Sequence, residues 1–444
     1  MFLRKERSSL RKLKDSAAMR GCVCQSVLCG EIRRADIRDL IRKEAHTFPD
    51  MSNLTDLNAL YDAFRASMKD SAWKEEPQHF EADWLSELVS LKHDIESRTY
   101  QILPGIEFTL NERGKIRHIH GSRIRDRVAR HVLCDNEIDP MISKYLIYNN
   151  GASQKGKGLA FARSMFEKDL HNFYLEYGSN DGYIGFVDFS KFYDNIRHDK
   201  IKELLYPTIS EEARWLVDII LAYFEVDVSY MSDDEYAGCM ERKHNSVAYY
   251  ETVSKEQRTG EKFMAKGVDI GDQFSQSIGV FFPTQIDNYV KIVRGCKRYG
   301  RYMDDMYIIC KDKAELQSVI DGIREQADAL GLFINSKKTR IVKLSGVYKF
   351  LQIKYTLSET GRVIRRINPR NVTRERRRLK AYRRLIDAGK MQYADVEQAS
   401  RSWMGEYSKL MSKKQIDHMK TLYKALFGKE LSWKPKSSTR TARK

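Results

Sequence analysis

The chain has 444 residues, and its 78 Lys and Arg against 61 Asp and Glu give a formal net charge of +17. A hydrophobic fraction of 42% with 11% aromatics excludes a disordered polyelectrolyte, which would not bury enough apolar surface to offset its chain entropy. The length suits about three folded units, and the surplus charge makes a polyanion the first partner to test.

No run approaches the roughly 18 consecutive apolar residues of a membrane-spanning helix, so no membrane partner is expected. The basic N-terminus has no apolar stretch behind it, so secretion is not expected either. Seven cysteines (Cys22, Cys24, Cys29, Cys134, Cys239, Cys296 and Cys310) are odd in number and scattered, which suits reduced thiols in a cytoplasm. The cluster Cys22, Cys24 and Cys29 is a poor zinc set, because a CxC pair suits one tetrahedral ion badly and no CxxC or HxxxH pair follows.

Residues 1–45 are basic and helix-compatible, with Leu10, Leu13, Ile37, Leu40 and Ile41 at helical spacing. Residues 50–101 read as amphipathic helix, with Trp73, Phe80, Trp84, Leu85, Leu88 and Leu91 on an apolar packing stripe. The run 114–120 alternates apolar with basic residues, a strand pattern with one buried and one positive face. From about 181 to 355 short strands alternate with helices, as in an α/β layer structure. Residues 183–189 read as a buried strand, and 211–224 as a helix. Residues 225–266 are polar and read as hairpins or an inserted loop, and a helix should begin near Asp272 and run on through 283–293. Residues 301–310 look like a tight hairpin whose apolar arms, Tyr299 to Met303 and Met306 to Cys310, flank Asp304 and Asp305 at the tip. A helix ends before Gly331. After Pro369 the chain turns helical and very basic, with Leu379, Tyr382 and Leu385 as its apolar remainder. The last stretch is low-complexity and of disordered type.

Two features carry chemistry. Asp188 ends a buried strand, and Asp304 and Asp305 sit together at a hairpin turn. Acids at the ends of neighbouring strands repel unless a cation neutralises them. Hard oxygen ligands suit Mg²⁺, and two such ions are the usual machinery for in-line displacement at phosphorus. A solvated Asp-Asp turn is the plainer reading of the doublet alone.

The doublet is not alone. Residues 186–196, FVDFSKFYDNI, resemble the palm motif of reverse transcriptases, and Tyr302-Met303-Asp304-Asp305 resembles their YxDD signature. Residues 267–276, GVDIGDQFSQ, resemble the third palm block; Leu330 to Asn335 with Lys337, Lys338 and Thr339, and then Phe350-Leu351, resemble the fourth and fifth in order. Lys115 to Arg130 resembles the fingers segment of bacterial retroelement enzymes. The resemblance covers roughly 100–365.

It implies a right-hand polymerase of α+β and α/β type, with fingers, a palm of antiparallel sheet and helices, and a helical thumb. The corresponding boundaries are a basic helical N-terminal extension over 1–95, fingers over 96–180, palm over 181–365 with the insert 225–266, thumb over 366–428 and a basic tail over 429–444. It implies that Asp188, Asp304 and Asp305, with the Phe189 backbone carbonyl, hold two Mg²⁺ ions, Mn²⁺ being an alternative. Tyr193 falls at the steric-gate position that excludes a ribose 2′-OH. Lys115 and Arg117 would grip the triphosphate, with Arg127 a third cation, and Lys337 or Lys338 would protonate pyrophosphate. Phe350 and Leu351 correspond to the primer grip, and Arg374, Arg377, Arg378, Lys380 and Arg384 to a nucleic-acid track on the thumb.

The chain departs from the commonest pattern in two places. Ile270 stands where many such enzymes carry Gln at the nucleotide pocket, and Ser275-Gln276 replaces Ser-Pro; both features resemble diversity-generating and defence-associated retroelement enzymes. Gln352 stands where Gly is common, so the primer-grip turn is expected to differ. The implied function is RNA-directed DNA synthesis from dNTPs on a structured non-coding RNA template in antiviral defence. The alternatives are error-prone copying in a diversity-generating element, untemplated or protein-primed synthesis, and an RNA-binding scaffold with a vestigial site. A second copy of the chain or an accessory protein stays open as partner.

Overall fold

The computed structural model describes residues 53–69, 71–112, 115–241 and 254–431. The expectations for residues 1–45, for Cys22, Cys24 and Cys29, and for the C-terminal low-complexity stretch lie outside the described residues. The protein is rich in helix, with antiparallel sheet pairings, and divides into two compact units. The first holds the chain up to Ala162 with Gly185–Ile341; the second holds Arg163–Ile184 with the chain from Val342 onward.

The first unit opens on three helices, α1 (Leu57–Met68), α2 (Glu75–Ala82) and α3 (Trp84–Glu96). The Asp56 carboxylate caps α1 by accepting from the Ala59 N–H at 2.9 Å. Leu60, Phe64, Phe80, Leu88 and Leu91 are buried. Trp73 (76% exposed) and Leu85 (55%) are not, because the chain is three short helices rather than one long one and these two positions leave the expected stripe. β1 (Ile106–Glu112) and β2 (Lys115–Gly121) form an antiparallel hairpin leading into α4 (Ile124–Leu133). The hairpin leaves Ile106, Phe108 and Leu110 of β1 about half exposed, and within 114–120, where a buried and a positive face are expected, Ile119 is the one residue whose side chain is described, and it is half-buried.

After α5 (Leu159–Tyr177), β3 (Tyr183–Val187) enters a four-stranded sheet of order β6-β7-β3-β8, in which β6 is Tyr299–Tyr302, β7 Asp305–Cys310 and β8 Arg340–Lys343. The boundary between the units falls within β3 and β8. Helices α6 (His198–Leu205) and α7 (Glu211–Phe224) follow β3. The segment 225–266 carries an antiparallel strand pair, in keeping with the expected hairpin, and a helix that was not expected. β4 (Val226–Asp227) pairs with β5 (Phe263–Met264), and α8 (Asp233–Glu241) lies between them in sequence. Among the described residues its core holds Val228, Met231 and Met264, few enough apolar positions that the polar composition hid the helix. Helix α9 (Gln273–Phe281) starts at Asp272, whose carboxylate accepts from the Phe274 N–H at 2.7 Å. It stops before Pro283, which opens a separate short helix, Thr284–Asn288, so the expected continuous helix is broken where proline cannot donate. Helix α10 (Lys313–Ala329) ends before Gly331, whose φ of +73° is the left-handed turn that glycine tolerates.

In the second unit β9 (Tyr348–Phe350), β10 (Ile353–Leu357) and β11 (Val363–Ile367) form an antiparallel sheet. Phe166 of α5 packs on it, with ring centroids 4.6 Å from Phe350 and 4.9 Å from Tyr355. Helices α11 (Pro369–Asp387), α12 (Tyr393–Tyr407) and α13 (Lys413–Phe427) close around Leu379, Val396, Met404, Met419 and Tyr423. On α11 Ile386 joins this core while Leu385 is 39% exposed, because positions 372, 379, 382 and 386 keep the helical period and 385 does not.

Candidate active site

The apolar run of β3 is buried up to Val187, so Asp188 emerges at the strand end with its side chain mostly covered. Its backbone is tied to the segment after Gly331. The Asn335 N–H donates to the Asp188 carbonyl at 2.8 Å and the Ser190 N–H donates to the Phe333 carbonyl at 2.7 Å. Phe189 and Ile334 between them are directly opposite. They therefore form the non-hydrogen-bonded pair of the ladder, and the Phe189 carbonyl faces away from that segment.

In the β6–β7 hairpin Tyr302 pairs with Asp305. Met303 and Asp304 are thus the two turn residues, and Asp305 is the first residue of β7 rather than part of the tip. Met303 has φ +54°, a left-handed conformation that costs a residue with a Cβ about 1–2 kcal/mol. Arg301 braces this turn. Its guanidinium donates to the Met303 carbonyl at 3.2 Å and to the Val280 carbonyl at 2.7 Å, and it pairs with Asp287 at 2.6 Å, both side chains being fully buried. Sequence reasoning treated Tyr299 to Met303 as an apolar arm and missed this pair. A lone arginine inside an apolar strand was the signal that a carboxylate had to be found for it.

A turn closed by Asn335, whose carbonyl accepts from the Lys338 and Thr339 N–H groups at 3.1 and 2.8 Å, presents Lys338 to the acids. The Lys338 ammonium donates to both Asp188 oxygens, at 2.8 and 3.0 Å. Burial pulls its pKa down, but the hydrogen bond to Asp188 and the charges of Asp188, Asp304 and Asp305 outweigh this and hold it above the ordinary lysine value. One ammonium therefore feels all three carboxylates. Lys337 is exposed and meets Asn335 only through its backbone, so of the two lysines it is Lys338 that reaches the acids.

Tyr193 lies beside the same turn, its hydroxyl 3.7 Å from the Met303 sulfur. Burial, with Asp304 adding, pushes its pKa up to about 12 and keeps the hydroxyl neutral. The ring rests on Gly279 of α9, where an added Cβ would come within 2.9 Å of the tyrosine oxygen. Sequence reasoning did not single out Gly279, although a glycine inside a helix is a sign of close packing. The Val268 N–H donates to the Tyr193 carbonyl at 3.1 Å, joining the third block to the palm motif.

Ile270 lines a cavity of about 930 Å³ with Arg127, Arg130, His131, Lys155 and Gln276. Arg127 is engaged there, donating to the Ser67 carbonyl of α1 and, at 3.1 Å, to the hydroxyl of Ser71 just after that helix. Arg130, 2% exposed, pairs with Asp272 and so anchors α9 to α4. Lys115 and Arg117 lie on β2; their side chains are outside the described set.

In the second unit Phe350 pairs with Ile353, so Leu351 and Gln352 form a two-residue turn with φ of +41° and +72°. Positive φ at both positions is the type I′ requirement. The turn thus forms without glycine. Arg163 donates twice to the Leu351 carbonyl, at 3.2 and 2.9 Å, and holds the turn closed. On α11, Arg374, Arg377, Lys380 and Arg384 are exposed, whereas Arg378 pairs with buried Glu375 at 2.6 Å.

Among the described residues no three His, Cys, Asp or Glu side chains are gathered as a ready metal cage. The donor set of Asp188, Asp304 and Asp305 is nevertheless all hard oxygen, and a cation, the Lys338 ammonium, already sits in its field. Both observations fit a divalent ion of the Mg²⁺ kind.

An acid-bearing hairpin thus lies beside a strand that ends in a third acid. Residues 134–356, half of the chain, match the family model described as reverse transcriptase (RNA-dependent DNA polymerase). The chain belongs to this family, which implies the right-hand polymerase fold, RNA template, DNA product and dNTP substrates, and generally divalent metal ions, typically Mg²⁺. A comparison with curated protein sequences gave no match. No helix among the described residues is long and apolar enough to cross a membrane.

Proposed function

We propose that the protein is an RNA-directed DNA polymerase that extends a primer with dNTPs on a structured non-coding RNA, in antiviral defence. The observation that carries the polymerase reading is the field of Asp188, Asp304 and Asp305 on one ammonium beside Tyr193. In this reading Asp188, Asp304, Asp305 and the Phe189 carbonyl hold the divalent ions, which supply charge neutralisation and acidify the primer 3′-OH. Tyr193 excludes a ribose 2′-OH, and Lys338, which reaches Asp188, rather than Lys337 would give a proton to the departing pyrophosphate. Fingers over 96–180, palm over 181–365 and thumb over 366–428 are the working division. Phe350 and Leu351 would position the primer, and Arg374, Arg377, Lys380 and Arg384 would track the backbone.

The defence role rests on the N-terminal extension and the basic C-terminal helix. A second reading, error-prone copying in a diversity-generating element, is favoured by Ile270 at the cavity wall, where an apolar side chain replaces a hydrogen-bonding one. Ile270→Gln should lower misincorporation, and an unchanged error spectrum would remove this residue from the argument. Sequencing the nucleic acid that copurifies with the protein, before and after dNTPs and Mg²⁺ are added, tests the function as a whole. New DNA complementary to a bound RNA supports it. Product without a complementary template would point to untemplated synthesis.

A further inference from the structure

The three-stranded sheet of the second unit carries a row of cations on one face. Lys354 of β10 lies directly opposite Lys349 of β9 and directly opposite Arg366 of β11. Residues directly opposite share a face, so the three form a continuous row, about 10 Å long at the usual strand spacing. The other face is the covered one, with Phe350, Ile353, Tyr355 and Ile367 buried. The next pair on the cationic face is Thr356 opposite Ile364, so no carboxylate flanks the row there.

The fold supplies a partner elsewhere in this sheet. Arg365, on the covered side, pairs with Glu167 of α5 at 3.4 Å. Lys354 and Arg366 have no ion pair among the described residues. Like charges directly opposite destabilise a strand pair. A sheet that stacks three of them is complementary to a line of negative charge. β11 also runs straight into α11, whose exposed Arg370, Arg374 and Arg377 continue the positive surface along the chain.

We propose that this face binds the phosphodiester backbone of an RNA strand. RNA is the occupant because a polymerase of this family must hold it under any mode of priming; in that respect the inference rests on the proposed function.

The test is RNA binding across a salt series, without dNTPs, for the wild type, Lys354→Gln with Arg366→Gln, and the charge-preserving Lys354→Arg with Arg366→Lys. The neutral variant should bind RNA about tenfold more weakly at low salt, with a salt slope flatter by about two units. The free protein should melt no lower than wild type, since repulsion is relieved, and the charge-preserving variant should bind like wild type. Unchanged affinity and slope in the neutral variant would overturn the proposal, as would equal loss in the charge-preserving one. A DNA duplex of the same sequence is the second arm, and weakening on DNA alone would overturn the assignment to RNA. Incorporation of dNTPs is read separately. Absent synthesis with intact row-dependent RNA binding would sink the polymerase reading and leave this face standing.

Discussion

The Lys338 ammonium lies within hydrogen-bonding distance of both oxygens of Asp188, at 2.8 and 3.0 Å, so the first carboxylate of the site is held by a lysine of the same chain. Any added cation must share Asp188 with that ammonium. Lys338→Gln should therefore lower the Mg²⁺ concentration for half-maximal dNTP incorporation by about fivefold, the scale of one partly exposed charge pair, while reducing the maximal rate. A Mg²⁺ titration of incorporation checks this, and an unchanged midpoint would mean that the ammonium does not compete for Asp188.

Sugar selection should depend on Gly279 as well as on Tyr193. Tyr193→Val should reduce discrimination against ribonucleotides by about tenfold or more, the scale of a lost steric contact in a pocket. Gly279→Ala places a methyl within 2.9 Å of the tyrosine oxygen, forces the ring to move and should change discrimination in the same assay. Wild-type discrimination in Gly279→Ala would show that the ring position does not set the gate.

The Leu351-Gln352 turn carries two side chains at positive φ, held by Arg163. Gln352→Gly should stabilise the protein by about 1 kcal/mol by relieving the left-handed strain. Arg163→Ala should destabilise it by about 1.5–3 kcal/mol, the worth of hydrogen bonds to a charged group. Denaturant melts of the two variants report both signs.

Lys266 is 1% exposed, donates to the Cys239 and Met240 carbonyls at 3.1 and 3.3 Å, and burial pulls its pKa down to about 8. The sign follows from linkage. Below about pH 8 the lysine is charged in both states, and the folded state carries the full burial penalty. Between about 8 and the unfolded value near 10.4 the unfolded chain binds more protons, so this group makes stability rise with pH. Lys266→Met lacks the term. The stability of wild type relative to Lys266→Met should therefore improve from pH 7.5 to 10 in thermal melts, and a constant difference would contradict the shift.

Much of the site was legible because its residues obey local rules. Asp188 ends an apolar strand, Asp304 and Asp305 punctuate an apolar hairpin, and Asp272 and Gly331 mark helix ends. What was not legible depends on partners far away in sequence. Arg301 is read correctly only with Asp287, Tyr193 only with Gly279, and Leu351 only with Arg163. The choice of Lys338 over Lys337 depends on a turn built by Asn335. The N-terminal helices were misjudged at Trp73 and Leu85 because one continuous period was drawn through two breaks, and the helix at 233–241 went unread because no residue of it is buried and its packing is small among the described residues.

The catalytic role of Asp304 and Asp305 is tested most directly by labelled dNTP incorporation into a primed RNA template by wild type and by Asp304→Ala with Asp305→Ala, with RNA binding measured on the same samples. The acids are assigned to chemistry and not to holding RNA, so the double variant should lose incorporation by several orders of magnitude and keep RNA binding close to wild type. Primer extension at the wild-type rate by the double variant would contradict it.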